Sequence, residues 1–209
     1  RLCNDMNVII DVGNTLCKFA IFDGHTLVEK QSCEKQDAMF HSKQLVKSYP
    51  KLTHCILSCV GDLSKEMLAL LKQSFLVHVL SHKSVIPFIN QYKTPITLGV
   101  DRIALISCAA TKFPEQNVLV IDAGSAITYD FLTAHNQYLG GAIAPGIAMR
   151  YKSLHTFTEN LPLLEKKSVF SVIGDSTESA MHSGVIQGVV FEIDGVINQY
   201  KEQYTEITI

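Results

Sequence analysis

The chain has 209 residues, a net charge of −2 at pH 7 and an isoelectric point near 6.5. Apolar residues make up 47% of it and charged residues 18%, which is typical of a compact soluble protein with a sizeable core and excludes a disordered chain. No apolar run is long enough for a membrane-spanning helix, and the charge offers no attraction to nucleic acid or an anionic membrane. We therefore expect a cytoplasmic protein with no nucleic-acid and no membrane partner.

In the first half, strands are predicted at 7–12, 16–22, 26–31, 54–60 and 76–80, and helices at 37–48, 63–74 and about 102–111. A loop-rich stretch around Pro87 and Pro95 precedes the last of these helices.

In the second half, strands are predicted at 118–122, 126–132 and 138–144, helices near 147–154 and at about 176–203, and a loop at 156–173. The last residues begin to resemble a strand. The order of three strands, a helix and a strand occurs twice along the chain. This order predicts an α/β protein with a duplicated ribonuclease-H-like fold, also called the actin-like ATPase fold. Such a fold has two lobes around a cleft. The lobes are expected at 1–100 and 101–209, the second one incomplete at its C-terminal end.

The six cysteines form no C-x-x-C pair, and several of them stand in apolar runs. Free, mostly buried thiols in a reducing compartment are the expected state. His54, Cys55 and Cys59 lie close in sequence, but their spacing fits no zinc pattern.

One short pattern occurs twice, at residues 7–24 and 118–135. In both copies an apolar run ends in Asp-x-Gly and is followed by a second apolar run. A shift of 111 positions places Asp11 on Asp122 and Gly13 on Gly124. This indicates one β-hairpin built twice, with a carboxylate and a glycine at each turn, where a phosphate or a metal ion could bind.

The first turn reads Asp11-Val12-Gly13-Asn14-Thr15. We expect Gly13 to turn tightly with its N–H open to an anion, beside donors on Asn14 and Thr15. Asp11 is placed to hold Mg²⁺ directly or through water, and Lys18 could supply charge to a phosphate. The structural alternative is an ordinary turn with a capping aspartate.

Asp101 and Arg102 stand where the third helix is predicted to start, after Leu98-Gly99-Val100. As a structural residue Asp101 would be an N-cap. Arg102 opposes the helix dipole there, so an anion such as a substrate carboxylate is a better explanation for it. The adjacent Asp101 could then accept a proton from a substrate hydroxyl.

Three further segments have weaker signals. Gly140 and Gly141 permit close approach of a ligand or another backbone, although two ordinary turns explain them as well. Residues 175–178 resemble a capping box that opens the long helix. Ala180, Gly184 and Gly188 form a small-residue stripe for close packing in the core or in a dimer. The chain has no P-loop and no G-x-G-x-x-G motif, so phosphate binding must rest on the hairpin turns.

Five segments in this order resemble the type III pantothenate kinase family, of the acetate and sugar kinase/Hsp70/actin superfamily. They are DVGNT (11–15), GVDR (99–102), DAGSAIT (122–128), GGAIAPG (140–146) and GDSTESAMHSG (174–184). The resemblance implies transfer of the γ-phosphate of ATP to the primary hydroxyl of pantothenate, the first step towards coenzyme A. It also implies Mg²⁺, a monovalent cation (K⁺ or NH₄⁺) and a homodimer.

The resemblance also assigns roles. Asp101 is the implied general base and Asp122 the ligand of the monovalent cation. The implied ATP-binding residues are Asp11, Val12, Gly13, Asn14, Thr15, Leu16, Cys17, Lys18 and Ser125, the last standing where threonine is common. The implied pantothenate-binding residues are Tyr92, Gly99, Val100, Asp101, Arg102 and Thr177, with Arg102 pairing the carboxylate.

Two other functions stay open on the same fold. One is a kinase for another small hydroxy acid, a sugar or acetate. The other is a nucleotide-binding regulator without catalysis.

Overall fold

The computed structural model describes residues 6–60, 64–168 and 171–209. It divides into two compact units: Arg1–Ile86 with Thr94–Leu105, and Pro87–Lys93 with Ile106–Ile209. The division falls within one helix. The predicted lobe boundary after residue 100 stays a prediction.

The first unit contains a five-stranded sheet and two helices. Its elements are β1 (Met6–Val12), β2 (Leu16–Asp23), β3 (Thr26–Glu34), α1 (Ala38–Ser48), β4 (Leu52–Cys59), α2 (Lys65–Ser74) and β5 (Leu76–Val79). The strand order is β3-β2-β1-β4-β5. The first three strands pair antiparallel, whereas β4 pairs parallel with β1 and β5 parallel with β4.

Alternate residues of the central strands build the core of this unit. Val8, Ile10 and Val12 of β1 are buried and pack with residues of both helices, such as Leu45 and Leu71. The alternation follows from the two-residue period of a strand, which points successive side chains to opposite faces. The sequence pattern of β1 is therefore that of a strand with one fully covered face.

The second unit repeats this plan. Its elements are β6 (Ile89–Asn90), the later part of α3 (Val100–Lys112), β7 (Asn117–Ala123), β8 (Ala126–Leu132), β9 (Gln137–Pro145), α4 (Ile147–Thr156), α5 (Thr177–Gln203) and β10 (Ile207–Thr208). The strand order is β10-β7-β8-β9-β6, with β7, β8 and β9 antiparallel and β10 parallel to β7. Thus β7, β8, β9 and β10 correspond to β1, β2, β3 and β4.

Helix α5 covers one face of the second sheet. Ile127, Tyr129 and Phe131 of β8 are buried there, and Val189 and Ile197 of α5 pack in the same cluster. No helix within the described residues is both long and apolar enough to cross a bilayer.

The predicted fold class is confirmed, and the predicted helices and strands are found with ends that differ by up to three residues. The predicted start of the second helix, at 63, lies outside the described residues, and so do residues 169–170 of the predicted loop 156–173. Within the described residues, three short elements were not predicted: β6 and the 3₁₀ turns at Lys35–Asp37 and Pro95–Thr97. Two residues are too few to show a strand period, so a pairing such as β6 with β9 is invisible in the sequence.

Candidate active site

The first turn holds its carboxylate between two partners. Asp11 pairs across the hairpin with Lys18, whose Nζ lies 3.9 Å from Oδ2 of Asp11. The other oxygen, Oδ1, accepts a hydrogen bond of 2.9 Å from the Ser58 hydroxyl on β4. One third of the Asp11 side chain and half of the Lys18 side chain are exposed, so both can reach a ligand.

Gly13 corrects one prediction. Its N–H is not open to an anion, because it donates to the Leu16 carbonyl at 2.9 Å and closes the turn. A Cβ at this position would lie 3.1 Å from the same oxygen. The small residue is needed for the turn itself.

The other implied nucleotide-binding residues of this turn divide into two groups. Val12 and Cys17 are paired across the hairpin and point into the core, so only their backbone can face a ligand. Burial raises the pKa of the Cys17 thiol to about 12, with Cys33 and Asp11 adding to the shift, which makes this thiol inert. Asn14, Thr15 and Leu16 are exposed.

The Asp122 carboxylate of the second turn makes no ion pair among the described residues. Asp122 pairs with Thr128, so the two side chains lie on the same face of the sheet. Thr128 is only 8% exposed, and its hydroxyl has no hydrogen-bond partner among the described residues. A half-buried carboxylate beside an unpaired hydroxyl is the oxygen set that a hard cation takes, so these residues fit a monovalent cation.

The two hairpins differ in length by one residue. Four residues separate the paired Val12 and Cys17, but only three separate the paired Ala123 and Ile127. The exact repeat therefore ends at the glycine. In consequence Asp11 faces a lysine and Asp122 faces a threonine.

The second turn is also covered by the end of β9. Gly146 donates its N–H to the Ser125 carbonyl at 3.2 Å. A Cβ on Gly146 would lie 2.4 Å from the carbonyl oxygens of both Gly124 and Ser125. Only glycine fits at 146, and the Ser125 side chain is exposed.

The start of α3 corrects the predicted N-cap. The helix begins at Val100, so Asp101 lies within its first turn, where its Oδ1 accepts the N–H of Arg102 at 2.8 Å. The Asp101 carboxylate occupies the space a side chain on Gly99 would fill, since a Cβ there would come within 2.4 Å of Oδ1. Arg102 is buried, with 4% of its surface exposed.

The adjacent glycines of β9, Gly140 and Gly141, leave space for the ring of Tyr92 and for the backbone of Tyr129. A Cβ on Gly140, where φ is +109°, would lie 3.2 Å from the ring of Tyr92. Tyr92 stacks on Tyr138, whose hydroxyl donates to the fully buried Asp130 at 2.6 Å. Gly141 lies against the Tyr129 carbonyl, with no space for any side chain. The two glycines thus lie within a strand and not in turns.

Thr177 is the first residue of α5 and lines a cavity of about 610 Å³ with Arg150 and Met181. The predicted capping box exists but has different members. Ser176 is the N-cap, and its partner is Ser179 in place of Glu178. The Ser179 hydroxyl also bonds Asp175 at 3.0 Å, which explains why an acid and several hydroxyls cluster here.

Sequence reasoning missed Ser58, Thr128, Arg150 and Glu192 as residues of interest. Ser58 and Thr128 are single hydroxyls inside strands, where only the pairing register shows what they face. Arg150 and Glu192 lie on different helices, and nothing in their spacing predicts that they meet.

The described cysteines are free. Cys17 and Cys55 are buried and Cys108 is exposed, whereas Cys3 lies outside the described residues. Within the described residues, no group of three or more His, Cys, Asp and Glu side chains is arranged to hold a metal ion. Mg²⁺ in phosphoryl transfer needs no such group, because one or two carboxylates and the substrate phosphates hold it.

Known proteins were compared with this chain. The family model "Type III pantothenate kinase" matches residues 7–199. A type III pantothenate kinase from Christiangramia forsetii is 46% identical over 98% of this chain and 84% of its own length. One from Flavobacterium johnsoniae is 42% identical over the same shares.

A solved structure from Campylobacter jejuni, named as a conserved Baf family transcriptional activator, is also similar. It superposes with a TM-score of 0.56 at 26% identity, over 90% of this chain and 78% of its own. With a family model over most of its length and relatives above 40% identity, this chain belongs to the type III pantothenate kinase family.

Proposed function

We propose that this protein transfers the γ-phosphoryl group of ATP to the primary hydroxyl of pantothenate, giving 4′-phosphopantothenate and ADP, the first step of coenzyme A biosynthesis. The observation that carries the proposal is the Asp-Gly hairpin turn, which occupies the same place in both sheets. Phosphoryl transfer needs positioning and charge neutralisation more than covalent chemistry, and two such turns can supply both.

Asp101 is the proposed general base. Its carboxylate accepts the proton of the pantothenate hydroxyl as that oxygen attacks the γ-phosphorus and the bond to the bridging oxygen of ADP breaks. Gly99 supports this role, because the absence of its side chain leaves room for the Asp101 carboxylate.

The pantothenate contacts follow the family pattern. Arg102 is proposed to pair the substrate carboxylate. The family pattern also assigns pantothenate contacts to Gly99, Val100, Tyr92 and Thr177, and we propose these roles for them. The stacking of Tyr92 on Tyr138 supports a fixed ring at position 92, and the cavity beside Thr177 supports space for a ligand at position 177.

The residues that the family pattern assigns to ATP are 11–18 and Ser125, and we propose these roles for them. Asp11 would hold Mg²⁺, and Asp122 with Thr128 would hold K⁺ or NH₄⁺; when bound, these ions neutralise the charge of the triphosphate. Lys18 supports the assignment, because its exposed ammonium lies beside Asp11.

We also propose a cytoplasmic homodimer. The glycines of the small-residue stripe support the dimer, since a Cβ on Gly184 or Gly188 would meet no atom within 4 Å in the described chain. A partner helix could therefore approach this edge of α5 closely.

The decisive experiment measures ADP release with pantothenate present and absent, with and without K⁺. The expected result is turnover that requires pantothenate and rises with K⁺. Asp101→Asn should lower kcat by about 10²–10⁴-fold with ligand binding retained, whereas Arg102→Ala should mainly raise the pantothenate KM. Near-normal turnover of Asp101→Asn would refute the base assignment.

The same assay separates the alternatives. A panel of sugars, acetate and hydroxy acids tests for another kinase substrate. The name of the Campylobacter jejuni structure favours keeping the regulator as a second candidate. ATP binding in a calorimetric titration, with no turnover on any acceptor, would support that regulator.

A further inference from the structure

A chain of hydrogen bonds connects four elements behind the second turn. Glu192 of α5 accepts from the Tyr129 hydroxyl of β8 through Oε1 at 2.8 Å. Its Oε2 accepts from Nη2 of Arg150 on α4 at 2.5 Å. The Nε of Arg150 donates to the carbonyl of Pro145, the last residue of β9, at 2.8 Å.

These bonds end next to the turn itself. Pro145 precedes Gly146, whose N–H bonds the Ser125 carbonyl and whose Cα packs against the Gly124 and Ser125 carbonyls. A shift of Pro145 would move Gly146 and therefore the backbone between Asp122 and Ser125. The fit at Gly146 is too close for the turn to move independently.

Arg150 and Glu192 are suited to holding Pro145 and Gly146 in place because of their burial and their opposite charges. Arg150 is 21% exposed and Glu192 is 29% exposed, so solvent screens the contact less than at an open surface. The planar guanidinium directs Nε and Nη2 at two different acceptors in a fixed geometry, whereas a lysine presents its donors from a single nitrogen on a flexible stem.

We propose that Arg150 and Glu192 are positioning residues for the Asp122–Ser125 turn. They set its geometry through Pro145 and Gly146 without touching the nucleotide. The inference rests on the proposed function, in that this turn is taken to contact ATP and the monovalent cation. Neither residue belongs to the motifs that carry the family resemblance.

The test compares Glu192→Gln, Arg150→Met and Arg150→Lys with two matched controls in the full chain. Lys152→Met on α4 and Glu202→Gln on α5 remove an exposed charge from the same helices. Glu192→Gln and Arg150→Met should each raise the ATP KM and the K⁺ activation constant about tenfold, because misplacing a supporting group commonly has this effect. Arg150→Lys should fall between wild type and Arg150→Met.

Two readouts separate a positioning role from a general loss of activity. Glu192 does not line the Thr177 cavity, so Glu192→Gln should leave the pantothenate KM within about twofold. The double variant should be no worse than Arg150→Met alone, since both residues act through the same bonds. If Arg150→Met does not fold, Arg150→Lys and Glu192→Gln still carry the test.

The inference is overturned if Glu192→Gln and Arg150→Met keep the ATP KM and the K⁺ activation constant within about twofold of wild type. It is also overturned if the two control variants change these constants equally, or if the effects of the two single variants add fully in the double variant. If wild type shows no turnover, the proposed function fails and the inference is tested by ATP titration. A roughly tenfold weaker Kd in Glu192→Gln then supports it. An unchanged Kd, or no ATP binding by wild type, overturns it.

Discussion

The two Asp-Gly turns occupy equivalent places in their sheets but present different surroundings to their carboxylates. Asp11 lies between the Ser58 hydroxyl and the Lys18 ammonium. Asp122 faces the Thr128 hydroxyl, which has no hydrogen-bond partner among the described residues, and its turn is covered by Gly146. Within the described residues, the Asp11 carboxylate has a lysine beside it and the Asp122 carboxylate has no ion pair.

The difference shows how one hairpin can serve two tasks. The extra residue in the first turn changes which side chain pairs with the aspartate, because one residue of offset moves a strand's side chains to the other face. The aspartate and the glycine are the same in both copies. What the carboxylate can bind is decided by its neighbours across the strand.

The largest expected effect comes from removing each carboxylate. Asp11→Asn and Asp122→Asn should both lower kcat/KM for ATP by about a hundredfold, because each removes charge complementarity to the triphosphate or its counter-ion. Only Asp122→Asn should also raise the K⁺ activation constant, by about tenfold or more. Steady-state kinetics across a K⁺ series measure both.

Glu202→Gln, which removes an exposed carboxylate far along α5, is the control. If Asp11→Asn and Asp122→Asn change the K⁺ dependence equally, the two turns do not divide the ions as proposed.

The glycines of the turns should differ in their tolerance of a methyl group. Gly146→Ala should cost about 3 kcal/mol in the free energy of unfolding, because its Cβ would lie 2.4 Å from two backbone oxygens. Gly13→Ala, at 3.1 Å from Leu16 O, should cost about 1 kcal/mol, and Gly124→Ala, at 3.7 Å from Ala126 O, less still. Denaturant unfolding of the three variants gives the ranking, and the reverse order would contradict this account of how the second turn is covered.

Removing the two buried hydroxyls should change the stability of the protein in opposite directions. Ser58→Ala breaks the bond to Asp11 and should cost about 1 kcal/mol. Thr128→Val removes a hydroxyl that has no partner in the described chain, so without K⁺ it should be neutral or stabilising. Thermal unfolding with and without K⁺ tests this, and a K⁺-induced rise in Tm should disappear in Thr128→Val. A K⁺ effect unchanged by Thr128→Val would remove this hydroxyl from the cation site.

The smallest expected effect is a pH dependence of the free energy of unfolding of the second unit. Burial alone raises the pKa of Glu192, but the hydrogen bonds from Arg150 and Tyr129 and the Arg150 charge outweigh it, so the net pKa lies below the ordinary 4.5. A lowered carboxyl pKa contributes stability that is complete above pH 4.5 and is lost as pH falls through the folded-state pKa. The stability difference between wild type and Glu192→Gln should therefore shrink on acidification. A difference that grows towards low pH would contradict the assignment.

The sequence could predict most of the fold because its local signals agree. Alternation in β1 and β8, the Asp-Gly turns and the hydroxyls before α5 each indicate one local structure. The duplicated order of elements then predicts the pairing of β7 with β8 and of β8 with β9. The strand β6 is the exception, because its pairing depends on β9 and not on its own residues.

The candidate site was predictable only in part. The motifs point to Asp11, Asp101 and Asp122, but register decides what each carboxylate meets. Gly13 donating to Leu16 and Thr128 facing Asp122 both follow from loop length, which one extra residue changes. Contacts between helices, such as Arg150 with Glu192, arise from tertiary packing and have no local signal.

The glycines along α5 have a consequence for local stability. Gly184, Gly188 and Gly195 each cost an α-helix about 1 kcal/mol relative to alanine. Within the described residues, a Cβ at any of the three would meet no atom within 4 Å. Replacing these three glycines by alanine should therefore slow amide hydrogen exchange along this helix. If exchange at the glycines slows as protein concentration rises, the measurement will show where a second molecule lies.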